Sequence, residues 1–333
     1  MAKRGVEFHL AFLHGGPNFE RLRTSGAVLH PIRSHSNYDP AIIWRLRRAI
    51  RAIQPGIVQL WLPQMTVLGG MAAILAGVPF VVSERSSTKS YRGTWKDGLR
   101  VRIGRRAAAI VSNSEGGREY WAGRTNSPVA VIRNGIPFGE IEATSPISVN
   151  EAGLTEGAKL ILYAGRFEEE KNLASLVPAL RQVLTCTNSA VAILFGEGVL
   201  RNDVIQGGET ADFADRFRVM GFTTSLWRWV KRANVFVSLS WYEGNPNTVL
   251  EAAACGCPVV LSDIPQHREI LDNDSAYFVP TSSPPETAEA ILRALMNPDE
   301  ARQKAERARK KIASFSVEAS TDEYLSLYTR LTE

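Results

Sequence analysis

Apolar residues along this chain form short continuous runs that alternate with longer stretches carrying one apolar face. In the second half the runs are KLILYAGRF from Lys159, AVAILFGEG from Ala190, RFRVMGF from Arg216, the segment from Asn234 to Leu239, and CPVVLS from Cys257. Runs of this length rich in Val, Ile, Leu and Phe predict strands buried on both faces of a parallel sheet. In the first half VEFHLAFL from Val6, GAVLHPI from Gly26, IVQLWLP from Ile57, PFVVSER from Pro79, AIVSNS from Ala109 and VAVIRNGI from Val129 read the same way. Between them, Asp39 and Pro40 open a helix whose Ile42, Ile43, Leu46, Ile50 and Ile53 share one face. Thr66 to Ala76 predicts a small-residue helix ended by Gly77, and another is expected from Asn172. Residues 202–215 read as a variable loop, and helices are expected over Thr224–Ala233, from Glu286, over Asp299–Lys311 and near Thr321–Leu331. Strands that alternate with helices in both halves predict an α/β protein of two doubly wound, Rossmann-like domains facing across a cleft. The mixed, poorly periodic residues 137–157 are the expected linker.

The stretch from Trp241 to Glu269 organises the second half. Tyr242–Gly244 is the loop at the carboxyl end of a strand, and Pro246 and Asn247 open a helix with Asn247 as its cap. Glu243 and Glu251 then stand eight positions apart, one on the loop and one on the helix, at the crevice where open α/β sheets bind ligands. The backbone N–H groups of Gly244, Asn245, Asn247 and Thr248 face the same crevice at the positive end of the helix dipole. A diphosphate fits such a place, and a carboxylate beside it can accept hydrogen bonds from ribose or sugar hydroxyls. Gly165 and Arg166 end the strand from Lys159, and Lys171 and Asn172 open the next helix. A guanidinium and an ammonium five positions apart thus flank one strand-end crevice, which again suits a diphosphate. The intervening Glu168, Glu169 and Glu170 are expected to point to solvent. Taken alone, each feature is also compatible with a solvated surface loop.

Composition narrows the class. The 333 residues are enough for two domains, and 44% hydrophobic with 22% charged residues is ordinary for a globular chain. No apolar run reaches the ~20 residues needed to span a bilayer, and MAKRGVEFHL has no secretory signal. Of the three thiols Cys186, Cys255 and Cys257, the pair Cys255-Gly-Cys257 is too tight for the usual zinc spacing and reads as small core residues, so a reducing cytoplasm is expected. Charge is divided unevenly. Residues 1–150 carry 20 Lys and Arg against 9 acidic residues, and the rest carry 19 against 25. A basic half points to an anionic partner. Without a nucleic-acid motif, that partner is expected to be an anionic membrane surface or a pyrophosphate-bearing lipid, met through Arg45, Arg47, Arg48, Arg51 and Arg100–Arg106.

EGNPNTVLEAAACGCPVV resembles the E-x7-E donor motif of the family 4 glycosyltransferases, retaining enzymes of the GT-B fold, and GRFEEEKN resembles their G-R-x4-K-N motif. Gly196-Glu197-Gly198 matches the family's G-x-G turn beside the nucleotide, and Asn134-Gly135 its N-G turn. The resemblance implies that Arg166 and Lys171 hold the donor diphosphate. It also implies that Glu251 holds the ribose, and that Glu243 with the Gly244–Asn247 backbone holds the transferred sugar and phosphate. Glu243, Arg166 and Lys171 are then the catalytic candidates. After PFVVS, where many relatives carry a histidine, the string is Ser83-Glu84-Arg85. Glu84 and Arg85 are therefore the acceptor-side candidates, with Arg85 placed to meet an acceptor pyrophosphate.

The expected function is transfer of a hexosyl or related sugar from a nucleotide-diphosphate sugar to a saccharide or lipid-linked acceptor in cell-envelope polysaccharide synthesis, with retention. No metal or other cofactor is expected, nor any nucleic acid partner. The expected location is the cytoplasm, peripheral on the inner face of the plasma membrane. A donor-binding GT-B protein with impaired catalysis and a GT-B-like UDP-GlcNAc epimerase remain as alternatives. The resemblance implies an acceptor-side domain over 1–140, a donor domain over 155–315, and a helix at 316–333 that packs back on the first. It also places MAKRG at the end of a helix, so the first strand–helix unit is expected to be missing and its neighbours to expose unpaired strand edges. A chain of that kind is expected to be poorly stable and weakly active. His14-Gly-Gly-Pro17 is read as a turn after the strand from Val6.

Overall fold

The computed structural model describes residues 4–16, 19–37, 39–86, 91, 93–210, 212–213 and 215–333, apart from the side chain at 21. The chain forms two compact units, residues 1–133 with 318–333 and residues 134–317.

In the first unit β1 (His9–Phe12), α1 (Phe19–Arg23) and β2 (Val28–Pro31) form a parallel strand pair with one connecting helix. Then come α2 (Ala41–Ile53), β3 (Val58–Leu60), α3 (Pro63–Ala76), β4 (Phe80–Glu84), α4 (Trp95–Gly104), β5 (Ala109–Ser112), α5 (Glu115–Trp121) and β6 (Val129–Val131). The strands β3-β4-β5-β6 make a separate parallel sheet in chain order. Among the described residues β1 pairs only with β2 and β3 only with β4, so each presents one unpaired edge. Pro17, in the expected turn after β1, lies outside the described residues. The α2 face expected from periodicity is the one that packs: Ile42, Leu46 and Ile50 are buried with Leu60, Phe80 and Ile103. Gly70 allows α3 this close, since a Cβ there would lie 2.5 Å from Ile103 Cγ2. The last helix, Val317–Thr332, sends Tyr324 and Leu327 into the cluster formed by Val81, Ala109 and Val111.

This core contains an ion pair. Glu84 is fully buried, which corrects its reading as an acceptor contact. One carboxylate oxygen accepts from Tyr91 Oη at 2.6 Å and from the Ser86 N–H at 3.0 Å. The other accepts from Trp121 Nε1 at 2.9 Å and from the Arg100 guanidinium. Glu84 ends a fully buried strand, so its side chain has no route to water and must find partners within the fold. Arg100 is equally buried and cannot belong to a basic outer surface, as its place in the Arg100–Arg106 run suggested. Burial opposes its charge, but Glu84 and the tyrosines outweigh that and hold the guanidinium above its ordinary pKa.

The second unit opens with α6 (Phe138–Ala143), a short helix inside the expected linker. The alternation continues with β7 (Lys159–Ala164), α7 (Leu173–Cys186), β8 (Ala190–Phe195), α8 (Arg201–Gly208), β9 (Phe217–Met220) and α9 (Leu226–Arg232). It ends with β10 (Val235–Ser238), α10 (Asn247–Ala254), β11 (Val259–Ser262), α11 (Pro265–Arg268), β12 (Tyr277–Val279), α12 (Pro284–Met296) and α13 (Pro298–Lys311). The stretch read as a variable loop thus holds α8, whose few apolar residues are enough because only Val204 and Gly208 are buried. The six strands are all parallel in the order β12-β11-β10-β7-β8-β9. Alternate residues of β7 serve opposite cores: Leu160 and Leu162 lie in one cluster, Ile161 and Tyr163 in the other. A strand clad on both faces needs a continuous apolar run, which is what the sequence has. The order reverses between β7 and β10, so the loops after these two strands diverge and leave a crevice at their carboxyl ends.

Arg100→Ala would leave the Glu84 carboxylate buried beside an empty site. A loss of ~3–5 kcal/mol is expected in urea unfolding followed through Trp121. Replacing both partners, Glu84→Leu with Arg100→Met, should cost less than Arg100→Ala alone.

Candidate active site

The crevice at the β7–β10 reversal collects the residues singled out in the sequence. Gly165 and Arg166 follow β7 directly, a short turn over Glu169–Lys171 brings the chain to α7, and Asn172 adopts a left-handed conformation at φ 54°. Its side-chain amide donates to the carbonyls of Leu239, at 3.1 Å, and Thr281, at 2.6 Å. That ties the β7 loop to the carboxyl end of β10. Across the crevice, Ser240, Tyr242 and Glu243 follow β10.

Lys171 Nζ meets Glu243 Oε1 at 2.6 Å, joining positions 72 apart in the chain. The two side chains are only 17% and 12% exposed, so the pair is far better shielded than a surface ion pair. Ser240 Oγ donates to the same Oε1 at 2.6 Å. Lys171 and Glu243 are thus held at one point without a ligand. Arg166 is 70% exposed and rests on Glu170 at 2.5 Å. Glu170 therefore does not point to solvent as expected: the four-residue spacing returns it to Arg166, and its carbonyl accepts from the Trp241 N–H at 2.9 Å. Beneath them Tyr163 Oη donates to the Arg166 carbonyl at 3.1 Å, and burial, then Glu243 and Glu170, raise its pKa.

The cap of helix α10 lies one residue earlier than expected. Pro246 holds the cap position and Asn247 is the first helical residue, with no side chain capping the helix. The expected role of Asn247 as cap is corrected: its Oδ1 accepts instead from Asn134 Nδ2 at 2.7 Å and Asn245 Nδ2 at 3.1 Å. The opening N–H groups of a helix have no partner within it, so those of Asn247 and Thr248 remain for an anion. Asn245 Oδ1 is buried with no partner among the described residues, an acceptor awaiting a donor. Gly244 lies between Glu243 and this turn.

Glu251, one turn into α10, accepts from Trp227 Nε1 at 3.1 Å. Burial raises its pKa, and the indole bond only partly offsets this. Gly196, Glu197 and Gly198 follow β8. A Cβ at Gly196 would come within 2.0 Å of the Gly165 carbonyl oxygen, and one at Gly198 within 2.4 Å of that of Phe167. The Glu197 carbonyl accepts from the Phe167 N–H at 2.8 Å. This turn supports the loop that carries Arg166, and its glycines are needed for that approach. Glu197 itself pairs with Arg201 at 3.3 Å.

Ser240, Trp227 and Tyr163 are supporting residues that no motif signalled, and Asn134 belongs to the N-G turn the sequence singled out. His267 is another. It is fully buried, its Nδ1 donates to the Ser262 carbonyl at 2.8 Å, and burial lowers its pKa so that it is neutral. Cys255 and Cys257 are pushed up by burial, Cys255 to about 12, and neither is a nucleophile in this setting. No group of three metal-ligating side chains occurs among the described residues. No helix among them is long and apolar enough to cross a membrane. In the first unit, Arg85 follows β4. It lies 4.0 Å over the Trp61 ring and donates to Tyr324 Oη at 2.8 Å.

Residues 1–139 match the family Glycosyltransferase Family 4, and residues 158–297 match Glycosyl transferases group 1. EpsF of Bacillus subtilis, a glycosyltransferase by name, is 26% identical over 280 residues, 79% of this chain and 73% of its own length. The UDP-Gal:alpha-D-GlcNAc-diphosphoundecaprenol alpha-1,3-galactosyltransferase of Escherichia coli is 24% identical over 233 residues, 64% of this chain and 59% of that protein. Among solved structures, Anabaena HepE in complex with UDP-glucose superposes with a TM-score of 0.85 over 97% of this chain and 91% of its own, at 16% identity.

The raised pKa of Glu251 means that its neutral form suits the folded protein. Its contribution to stability is complete below the ordinary carboxylate range and is lost as pH rises through the raised value. Without ligand, Glu251→Gln should therefore melt higher than the parent protein at neutral pH. The difference should shrink on acidification. A lower melting temperature for Glu251→Gln at pH 7 would contradict the assignment.

Proposed function

As the chain belongs to the family 4-like glycosyltransferases of the GT-B fold, we propose that it moves a hexosyl or related sugar from a UDP-sugar to a saccharide or lipid-linked saccharide in cell-envelope polysaccharide synthesis, with retention. The observation that carries this reading is the Lys171–Glu243 contact at the β7–β10 reversal, which unites the two donor motifs at one point. UDP-glucose in the complex of Anabaena HepE supports the choice of donor, and the diphosphoundecaprenol substrate in the name of the Escherichia coli relative supports the acceptor class.

In the proposed reaction the bond between the sugar's C1 and the diphosphate oxygen breaks, its electron pair leaves with the diphosphate, and the acceptor hydroxyl oxygen bonds to C1 as its proton passes to the diphosphate. The negative charge gathered there falls between the Arg166 guanidinium, the Lys171 ammonium and the first N–H groups of α10. These groups are placed before the reaction, so little reorganisation is needed when the charge develops. Arg166 must exchange Glu170 for phosphate oxygens. Its high exposure makes that exchange easy, since a solvated ion pair is worth little. Lys171 stays anchored on Glu243, whose other oxygen is open to a sugar hydroxyl. Glu251, held by the Trp227 indole, receives the ribose. Gly196–Gly198 act by supporting the Arg166 loop. On the first unit, Arg85 rather than the buried Glu84 is the group proposed to meet an anionic acceptor. The proposed site of action is the cytoplasmic face of a membrane, reached through exposed arginines such as Arg48 and Arg51.

Lys171→Ala and Arg166→Ala should each weaken UDP binding by ~1.5–3 kcal/mol in calorimetry, the range for charged hydrogen bonds. Glu243→Ala should impair transfer more than UDP binding. Incubation with UDP-, GDP- and ADP-sugars tests the reading as a whole, and transfer or donor hydrolysis should survive EDTA. Donor binding without any turnover would favour an impaired enzyme, and loss of activity on chelation with recovery on Mg²⁺ would overturn the metal-free mechanism.

A further inference from the structure

The first unit carries a concave pocket of about 670 Å³ along α4, formed by residues that the transfer reaction does not use. Its lining reaches from Thr94 to Arg105, a distance of about 16 Å along the helix axis. Tyr91 and Tyr120 form an aromatic wall, their ring centroids 4.3 Å apart. Three guanidinium groups line the same space, those of Arg102, Arg105 and Arg124. Arg124 lies 4.8 Å over the Tyr120 ring and donates to the Tyr120 carbonyl at 2.6 Å. Arg105 Nε donates to the Arg124 carbonyl at 2.8 Å. These bonds to neutral carbonyls fix two cations in place without cancelling their charge. Arg102 is exposed and has no partner among the described residues.

One carboxylate lines the pocket, Asp97. It accepts from the Thr94 N–H at 2.8 Å and from Thr94 Oγ1 at 3.0 Å, and so serves as the reciprocal half of the α4 cap. Behind the tyrosines, Arg100 lies 4.7 Å from the Tyr91 ring and 5.5 Å from the Tyr120 ring, its charge met by Glu84. Three cations against one engaged carboxylate leave the pocket basic. An ordinary solvated helix face would spread its arginines outward, whereas here two are tethered to the backbone and one of those stacks on a tyrosine. Planar guanidinium groups match the oxygen geometry of phosphate, and the tyrosine faces suit the flat or apolar part of a ligand that carries one. The volume is that of a small-molecule site.

We propose that this pocket binds a phosphomonoester, either free in solution or as the headgroup of a lipid. The site lies within the first unit and is independent of the donor loops. The test uses the full chain, with glycerol 1-phosphate and inorganic phosphate titrated in a calorimeter. Phosphatidylcholine vesicles with and without phosphatidic acid form the second arm, read by co-sedimentation. At least one probe should bind. Arg102→Gln should weaken it at least about tenfold, the change expected for one charged hydrogen bond, with the melting temperature little changed because Arg102 is exposed and has no partner among the described residues. Arg102→Gln with Arg124→Gln should weaken it further. Arg330→Gln, at an exposed arginine on the last helix, should have little effect. Binding of a soluble probe with this dependence assigns a free ligand, and binding of phosphatidic acid vesicles alone assigns a headgroup. No binding of any of the three probes, equal affinity in parent and Arg102→Gln proteins, or an equal loss in Arg330→Gln would overturn the proposal.

Discussion

The second unit is built around a strand reversal. A parallel sheet wound outward in both directions from β7 and β10 must send the loops after those strands to opposite faces. The carboxyl ends between them are then left without a covering helix. Everything assigned to the donor stands on that constraint. The Lys171–Glu243 pair is short and shielded because its two loops have nowhere else to direct their polar ends. Asn172 reinforces the arrangement by bonding to the carbonyls of Leu239 and Thr281, and the Gly196–Gly198 turn props the Arg166 loop from the side of β8. The helix that follows β10 lacks a side-chain cap, which leaves its amide groups to a ligand.

The two cations differ in what holds them. Lys171 is fixed on the Glu243 carboxylate beyond the carboxyl end of β7, so its charge would already be in place for the proposed diphosphate. Arg166 is largely in water and can swap one oxygen partner for another at small cost. Glu251 shows the opposite economy. Its carboxylate is held in a buried position where, among the described residues, the Trp227 indole N–H supports the charge, an unfavourable arrangement that the proposed ribose hydroxyls would relieve. In the first unit the same tension between burial and charge is resolved internally. Glu84 receives four donors from Tyr91, Ser86, Trp121 and Arg100, and so becomes a structural centre with no capacity left for a ligand.

The sequence alone determined the α/β architecture and the strand runs, and it singled out the residues proposed to hold the donor. These rest on local physics: a strand clad on both faces must be apolar throughout, and a diphosphate loop needs cations, glycines and a helix start at fixed spacing. The same local reasoning failed where a position's meaning lies in what it meets. Glu84 read as an acceptor contact and Arg100 as part of a basic outer surface because nothing in a one-dimensional pattern shows that β4 is covered at its carboxyl end or that Arg100 faces inward from α4. Glu170 read as solvated although the turn over Glu169–Lys171 brings it to Arg166. Asn247 looked like a helix cap, yet its side chain is taken by Asn134 and Asn245. Only the tertiary structure could decide these points, because burial and partnership are set by contacts between residues far apart in the chain, and a single sequence does not record them.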